Sequence, residues 1–140
     1  MTYAFAAAGT GGHVFPALAV ADALVADGVP RDEIVFFGGD RMEAKTVPEH
    51  GFEFVEVELR GLKRSLSTSN LGIPRVVAKA RQVMADEMRS RATKACIVFG
   101  GYVSVPAAMA ANKVGAHLFV QEQNAKPGLA NRMVARRAER

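Results

Sequence analysis

The sequence predicts an α/β domain built on a doubly wound, mostly parallel sheet of the Rossmann kind. Three observations predict it. Short apolar runs of about four to six residues alternate with helical stretches along the whole chain. The runs are apolar at successive positions, as strands covered on both faces are. Glycine-rich turns follow three of them, at Gly9 to Gly12, Gly38-Gly39 and Gly100-Gly101. Right-handed crossovers then give the strand order 3-2-1-4-5, with ligands expected at the carboxyl ends of the strands near the switch between strands 1 and 4.

Each element has its own signal. Tyr3 to Ala8 reads as the first buried strand, and Ala17 to Val25 as a helix stopped at Gly28 and Pro30. Ile34 to Phe37 is a second buried strand. Asp40 is placed to cap a short helix over Met42 to His50, which ends at Gly51. Phe52 to Leu59 alternates apolar residues with Glu53, Glu56 and Glu58, which fits a strand near the sheet edge. Residues 61–72 are polar and basic and read as a loop. A long helix is expected from about Pro74 to about Arg91. Ala95 to Phe99 is a fourth strand, Val105 to Val114 a helix ending at Gly115, His117 to Gln121 a fifth strand, and Leu129 to Arg137 a last helix.

Composition narrows the classes. At 140 residues, with 49% hydrophobic and 23% charged residues, the chain is one globular domain. No apolar run reaches the roughly 18–20 residues that cross a bilayer. No basic leader precedes an apolar segment, so no signal peptide is expected. The single cysteine, Cys96, makes neither an internal disulfide nor a metal cage, and a cytoplasmic location is expected. The net charge of +4 hides an asymmetry. Residues 1–60 hold four Lys/Arg against ten Asp/Glu, and residues 61–140 hold fourteen against four. A basic face for an anionic partner follows.

Four loops reach the binding edge: Gly9 to His13, Gly38 to Arg41, Gly100 to Ser104 and Glu122 to Gly128. The first is neither a P-loop, since His13-Val14 follows Gly12, nor a dinucleotide fingerprint, which requires glycine where Val14 stands. The acid that would hold a ribose after strand 2 is also missing, because Phe37-Gly38-Gly39 stands there. The turn reads as a phosphate- or sugar-binding turn at a helix N-terminus, or as a tight turn with no ligand. His13 is a candidate general base or hydrogen-bond donor, with helix capping or packing as the alternative. Tyr102 and Ser104 offer hydroxyls, and Ser104 is also placed to cap the next helix. Gln121, Glu122, Gln123 and Asn124 suit sugar hydroxyls, against a plain solvated loop.

Lys63, Arg64, Arg75, Lys79 and Arg81 alternate with Leu62, Leu66, Leu71, Ile73, Val76 and Val77. That pattern fits a surface resting on an anionic bilayer, with some of the apolar residues belonging to a buried helix face. Arg132, Arg136, Arg137 and Arg140 extend the basic field. Nucleic acid is disfavoured, because residues 61–98 carry no phenylalanine to stack on bases. There is no Asp-x-Asp pair, and nothing requires a metal or other cofactor.

Gly9-Thr10-Gly11-Gly12-His13-Val14-Phe15-Pro16-Ala17-Leu18-Ala19, Asp40-Arg41-Met42-Glu43, Gly100-Gly101-Tyr102-Val103-Ser104, Glu122-Gln123-Asn124 and Pro127-Gly128-Leu129-Ala130-Asn131 together resemble the MurG-type glycosyltransferases in residues, order and spacing. The resemblance covers essentially the whole chain. It implies one half of a two-domain GT-B enzyme. Residues 1–140 would be the amino-terminal, acceptor-side domain, with the donor-binding carboxyl-terminal domain absent and turnover by this half alone not expected. The implied reaction moves N-acetylglucosamine from UDP-N-acetylglucosamine to the muramoyl 4-hydroxyl of lipid I, with inversion, giving lipid II at the cytoplasmic face of the inner membrane. By resemblance, Thr10, Gly11, Gly12 and Asn124 touch the donor. His13 and Glu122 are catalytic candidates, and Gly9, His13, Gly101, Tyr102, Ser104, Gln123 and Asn131 lie on the acceptor side. The membrane patch would be Lys63, Arg64, Leu66, Leu71, Ile73, Arg75 and Lys79, meeting anionic inner-membrane lipids. Ala8, Val105 and Gln121 depart from a usual glycine, glycine and histidine. A nicotinamide-dependent dehydrogenase and a non-enzymatic membrane-surface module are the rival readings.

Overall fold

The computed structural model describes residues 1–60 and 73–139. Five parallel strands form one sheet: β1 (Thr2–Ala6), β2 (Ile34–Gly38), β3 (Glu53–Glu56), β4 (Thr93–Val98) and β5 (His117–Val120), in the order β3-β2-β1-β4-β5. The order is the one the sequence predicts. Helices α1 (Gly11–Ala26) and α2 (Met42–Glu49) connect β1 to β2 and β2 to β3. Helices α3 (Ile73–Ser90) and α4 (Ser104–Val114) precede β4 and β5, and α5 (Leu129–Val134) runs into a 3₁₀ turn at Ala135–Arg137.

The direction of strand progression reverses at β1, so helices made by crossovers of one hand cover opposite faces. Side chains alternate across a strand, and β1 shows the division. Phe5 and Ala7 face a core shared with Val14, Leu18, Ala21, Ile34, Phe36, Val47 and Phe52. Ala4, Ala6 and Ala8 face the other core, with Met84, Met88, Cys96, Ala107, Ala111 and Leu118. Both faces are therefore apolar, which is why the strands read as unbroken apolar runs. The first core is aromatic: Phe5 stacks on Phe36 at 5.1 Å and on Phe99 at 5.7 Å between ring centroids. Cys96 is buried, and exclusion of water pushes its thiol up to about 12.

Several boundaries move, each for a physical reason. Helix α1 begins at Gly11, six residues before the apolar run that signals it, so the glycine turn forms its first turn. It ends in a paired closure in which Gly28 N–H donates to the Val25 carbonyl and Val29 N–H to the Leu24 carbonyl. Asp40 does not cap α2: the cap position is Arg41, with no side-chain cap bond, and Asp40 instead pairs with Arg60 at 3.3 Å. Strand β3 is shorter than the alternating run and lies at the edge, as its pattern predicts. In α3, Ala80, Met84, Ala85 and Met88 form the buried stripe, and the partly buried Val76 and Val77 also pack on the core. Arg91, just after α3, donates to Glu53 through two nitrogens and to Glu87, tying the helix end to the edge strand.

Replacing Phe36 by alanine should lower the unfolding free energy by about 3–5 kcal/mol, because Phe36 touches two other rings and leaves a cavity. Denaturant unfolding of the 140-residue chain measures it, and a loss below about 1 kcal/mol would mean that the aromatic core can collapse into the space.

Candidate functional site

All four glycine- or polar-rich loops leave the carboxyl edge of the sheet, and the loops after β1 and β4 lie side by side where strand progression reverses. The N-terminal turn of α1 is the floor of this edge. Thr10 is its cap residue in extended backbone and makes no side-chain cap bond, and the first turn carries no acid. The N–H groups of Gly11 and Gly12 belong to that first turn and have no partner within the helix. An uncapped 16-residue helix start is electropositive and suits an anion.

His13 stands one residue further on, half-buried between the β1 and β4 loops. Its Nδ1 lies 3.2 Å from the Ala8 carbonyl oxygen and 3.3 Å from Thr10 Oγ1. A carbonyl only accepts, so the proton of the neutral ring belongs on Nδ1, and Nε2 keeps its lone pair. Gly100 makes room for that ring. A Cβ there would come 3.0 Å from His13 Cδ2 and 3.1 Å from Nε2, at a φ of +97° that side chains rarely adopt.

The second wall is the β4–α4 loop. Ser104 was a candidate cap and ligand, and the structure corrects the cap reading. The cap residue of α4 is Val103, while Ser104 is fully buried and its Oγ accepts the Gly100 N–H at 3.1 Å. The hydroxyl holds the loop closed. Tyr102 is half-buried, with its ring edge 3.2 Å from where a Gly9 Cβ would sit. Exclusion of water, and then the charge of Glu43, raise its phenol above the usual range, so it stays a neutral donor.

The third wall follows β5, and Glu122 is its centre. Oε1 accepts the N–H and the Nδ2 of Asn124, both at 2.9 Å. Oε2 accepts the Gly128 N–H at 3.1 Å and Asn131 Nδ2 at 3.0 Å. Partial removal from water opposes the charge, but the four donors outweigh it and hold the carboxyl below its usual range. A carboxylate so engaged is a poor proton acceptor and a good organiser. Asn131 is buried, donates also to the Gln121 carbonyl at 3.1 Å, and has no partner for its Oδ1 among the described residues.

Gln123 reaches across the edge. Its Nε2 donates to the Gly12 carbonyl at 2.6 Å. In a regular helix that carbonyl would accept from residue 16, but Pro16 has no N–H. Gln123 thus closes a bond that proline leaves open, and joins the β5 loop to the first turn of α1.

The candidates therefore separate. Gly9, Thr10, Gly11, Gly12, His13, Gly101 and Tyr102 come together at the β1 and β4 loops. Gln123 joins this group through Gly12, and Glu122, Asn124 and Asn131 form the adjoining network. Of the basic patch, Lys63, Arg64, Leu66 and Leu71 lie outside the described residues. Ile73 opens α3, Arg75 is exposed on it, and Lys79 is exposed and pairs with Glu58 at 3.4 Å. One motif residue was given no role by the sequence reading, the buried Glu43. It accepts the N–H of Gly39 at 3.0 Å and that of Gly9 at 3.3 Å. Its signal was a carboxylate in the first turn of a short helix that starts at Met42, three residues after the glycine pair Gly38-Gly39. Among the described residues no cluster of His, Cys, Asp and Glu could hold a metal ion, and no helix is long and apolar enough to cross a membrane.

Residues 3–140 match the profile of the glycosyltransferase family 28 N-terminal domain. A relative from Caldicellulosiruptor saccharolyticus, named UDP-N-acetylglucosamine--N-acetylmuramyl-(pentapeptide) pyrophosphoryl-undecaprenol N-acetylglucosamine transferase, is 40% identical over 138 residues. That alignment covers 97% of this chain and 37% of the relative. A relative of the same name from Xanthomonas oryzae pv. oryzae is 40% identical over 135 residues, 96% of this chain and 30% of its own length. Among solved structures, MurG of Acinetobacter baumannii superposes with a TM-score of 0.85 at 31% identity, covering 99% of this chain and 40% of that one. The glycosyltransferase VinC, at 14% identity and a TM-score of 0.62, shares the fold over 97% of this chain and 38% of its own. The chain spans about a third of the length of the curated relatives it matches. These relatives are transferases, and they lend no support to the dehydrogenase alternative.

Glu122 generates a pH prediction. Its folded carboxyl lies below the ordinary value of 4.5, so its contribution is complete above about pH 4.5 and is lost as pH falls through the lower folded value. The backbone amide signals of Asn124 and Gly128 should hold steady from neutral pH to about 4.5 and then shift together. Glu122→Gln should remove that step; a step that survives in the variant would assign it to another group.

Proposed function

The chain belongs to glycosyltransferase family 28, and we propose that it is the acceptor-side half of an enzyme that moves N-acetylglucosamine from UDP-N-acetylglucosamine to lipid I, making lipid II. The names of its 40%-identical relatives support the substrates. The observation that carries the reading is His13: Nδ1 is engaged by a backbone carbonyl and Nε2 is left free beside an uncapped helix start.

In this reading the 4-hydroxyl of the muramoyl sugar attacks the anomeric carbon of N-acetylglucosamine. The new bond forms from that oxygen as the bond from the anomeric carbon to UDP breaks, with inversion. His13 Nε2 takes the hydroxyl proton as the oxygen becomes nucleophilic, a role generally worth 10²–10⁴-fold in rate. Glu122 was the other candidate base, and its four donors argue instead for holding Asn124 and Asn131 in place. The N–H groups of Gly11 and Gly12 and the α1 dipole receive the acceptor's diphosphate, and Tyr102 offers a neutral hydroxyl donor. Thr10, Gly11, Gly12 and Asn124 also stand where the donor enters, most of whose contacts come from a second, carboxyl-terminal domain. The 140-residue half alone is not expected to turn over. The basic segment from Lys63 through Lys79 faces anionic lipid at the cytoplasmic side of the inner membrane, where the enzyme is peripheral. The exposed Arg75 and Lys79 are the described part of that surface.

Titration of the 140-residue chain with a short-chain lipid I analogue, UDP-N-acetylglucosamine and NAD tests the reading. The acceptor analogue should bind, His13→Ala or Tyr102→Ala should weaken it by about tenfold, and the sugar nucleotide should bind feebly. Tight NAD binding with no response to the analogue would overturn it. The base is tested in a protein that carries both halves. There His13→Ala should cost about 10²–10⁴-fold in kcat. An active His13→Ala beside a dead Glu122→Gln would reverse the assignment.

A further inference from the structure

Glu43 has no exposed surface, yet it carries an ionisable group and has no cationic partner within ion-pair distance among the described residues. A buried carboxylate is costly unless hydrogen bonds and dipoles replace the lost water. Three features replace it here. Glu43 sits in the first turn of α2, at the positive end of that helix. Its Oε1 accepts the Gly39 N–H at 3.0 Å, and its Oε2 accepts the Gly9 N–H at 3.3 Å. Those two N–H groups belong to different loops, one after β1 and one after β2. Gly38 leaves the passage open: a Cβ there would lie 2.8 Å from Glu43 Cγ and 2.9 Å from the Ala7 carbonyl oxygen. Three elements thus converge on one side chain.

We propose that Glu43 is the positioning residue of the phosphate-facing turn. By drawing the Gly9 N–H inward, away from the cleft, it sets the turn so that the N–H groups of Gly11 and Gly12 meet the diphosphate. Gly9 is then no ligand itself, and the donor set of the turn begins two residues later. The inference rests on the phosphate reading of the site. It adds that the turn is prearranged by a buried charge some 34 residues away in sequence.

Glu43→Gln tests it, because the amide keeps the shape but accepts through one oxygen and presents an NH₂ to the other N–H. The 140-residue chain, labelled with ¹⁵N, is titrated with inorganic diphosphate, the short-chain lipid I analogue and UDP-N-acetylglucosamine, below the unfolding temperature of each variant. The Gly9, Gly39, Gly11 and Gly12 amide signals should move in Glu43→Gln before any ligand is added. Affinity for diphosphate should fall by about tenfold, the scale of one charge-assisted hydrogen bond. The lipid I and UDP arms tell which diphosphate the turn receives. Val47→Ala, buried on the same helix, is the control for simple loosening. An equal loss of affinity in Val47→Ala, or unchanged affinity in Glu43→Gln, would overturn the proposal. If the wild-type chain ignores diphosphate, the phosphate reading itself falls. In that event displaced Gly11 and Gly12 amides in Glu43→Gln uphold the positioning role, and undisplaced ones refute it.

Discussion

This five-stranded parallel sheet sends four glycine- or polar-rich loops off one edge, and the backbone N–H and C=O groups at the loop turns have no ladder to join. Left unpaired and shielded from water, each would cost about as much as a lost hydrogen bond. In this protein polar side chains answer several of these needs. Glu43 takes the N–H groups of Gly9 and Gly39, Ser104 that of Gly100, and Glu122 those of Asn124 and Gly128, while Gln123 supplies the Gly12 carbonyl. The glycines let the backbones come close, and these side chains then stop them from moving freely. The order of the candidate site depends on this exchange.

The exchange also sorts the motif residues by what they have left to offer. Ser104 has its hydroxyl buried and engaged, and Glu122 has four donors on two oxygens. His13 differs: one ring nitrogen is fixed by Ala8 and the other is unclaimed. A polar residue at the binding edge is therefore not automatically a ligand. The side chains of Glu122, Gln123 and Asn124 hold or receive loop contacts, as does that of Asn131. Fewer groups are left unengaged than the motifs contain.

Charge is distributed along the chain in the same sense. The acidic first 60 residues supply carboxylates that organise loops and edges: Glu43 inward, Glu53 to Arg91, Glu58 to Lys79, Asp40 to Arg60. Exposed pairs such as Lys79 with Glu58 contribute little to stability. Their consequence is a local trimming of the positive field on α3, where Arg75 remains exposed.

The sequence by itself determined the element types, their order and the sheet topology. These follow from local signals: apolar runs of strand length, a first-turn proline at Pro74, and glycines at chain reversals. It also placed His13, Tyr102 and Glu122 on one edge, because loops after parallel strands must emerge together. Tertiary structure alone decided which group answers which. Gln123 meets Gly12 across 111 residues, and Glu43 meets Gly9 across 34. Nothing in the neighbourhood of Asp40 tells that it will turn to Arg60 rather than cap α2, nor does the Ser104 neighbourhood tell that its hydroxyl will turn inward to Gly100. Periodicity is a property of neighbours along the chain, whereas hydrogen-bond satisfaction is settled only when distant loops arrive at the same place.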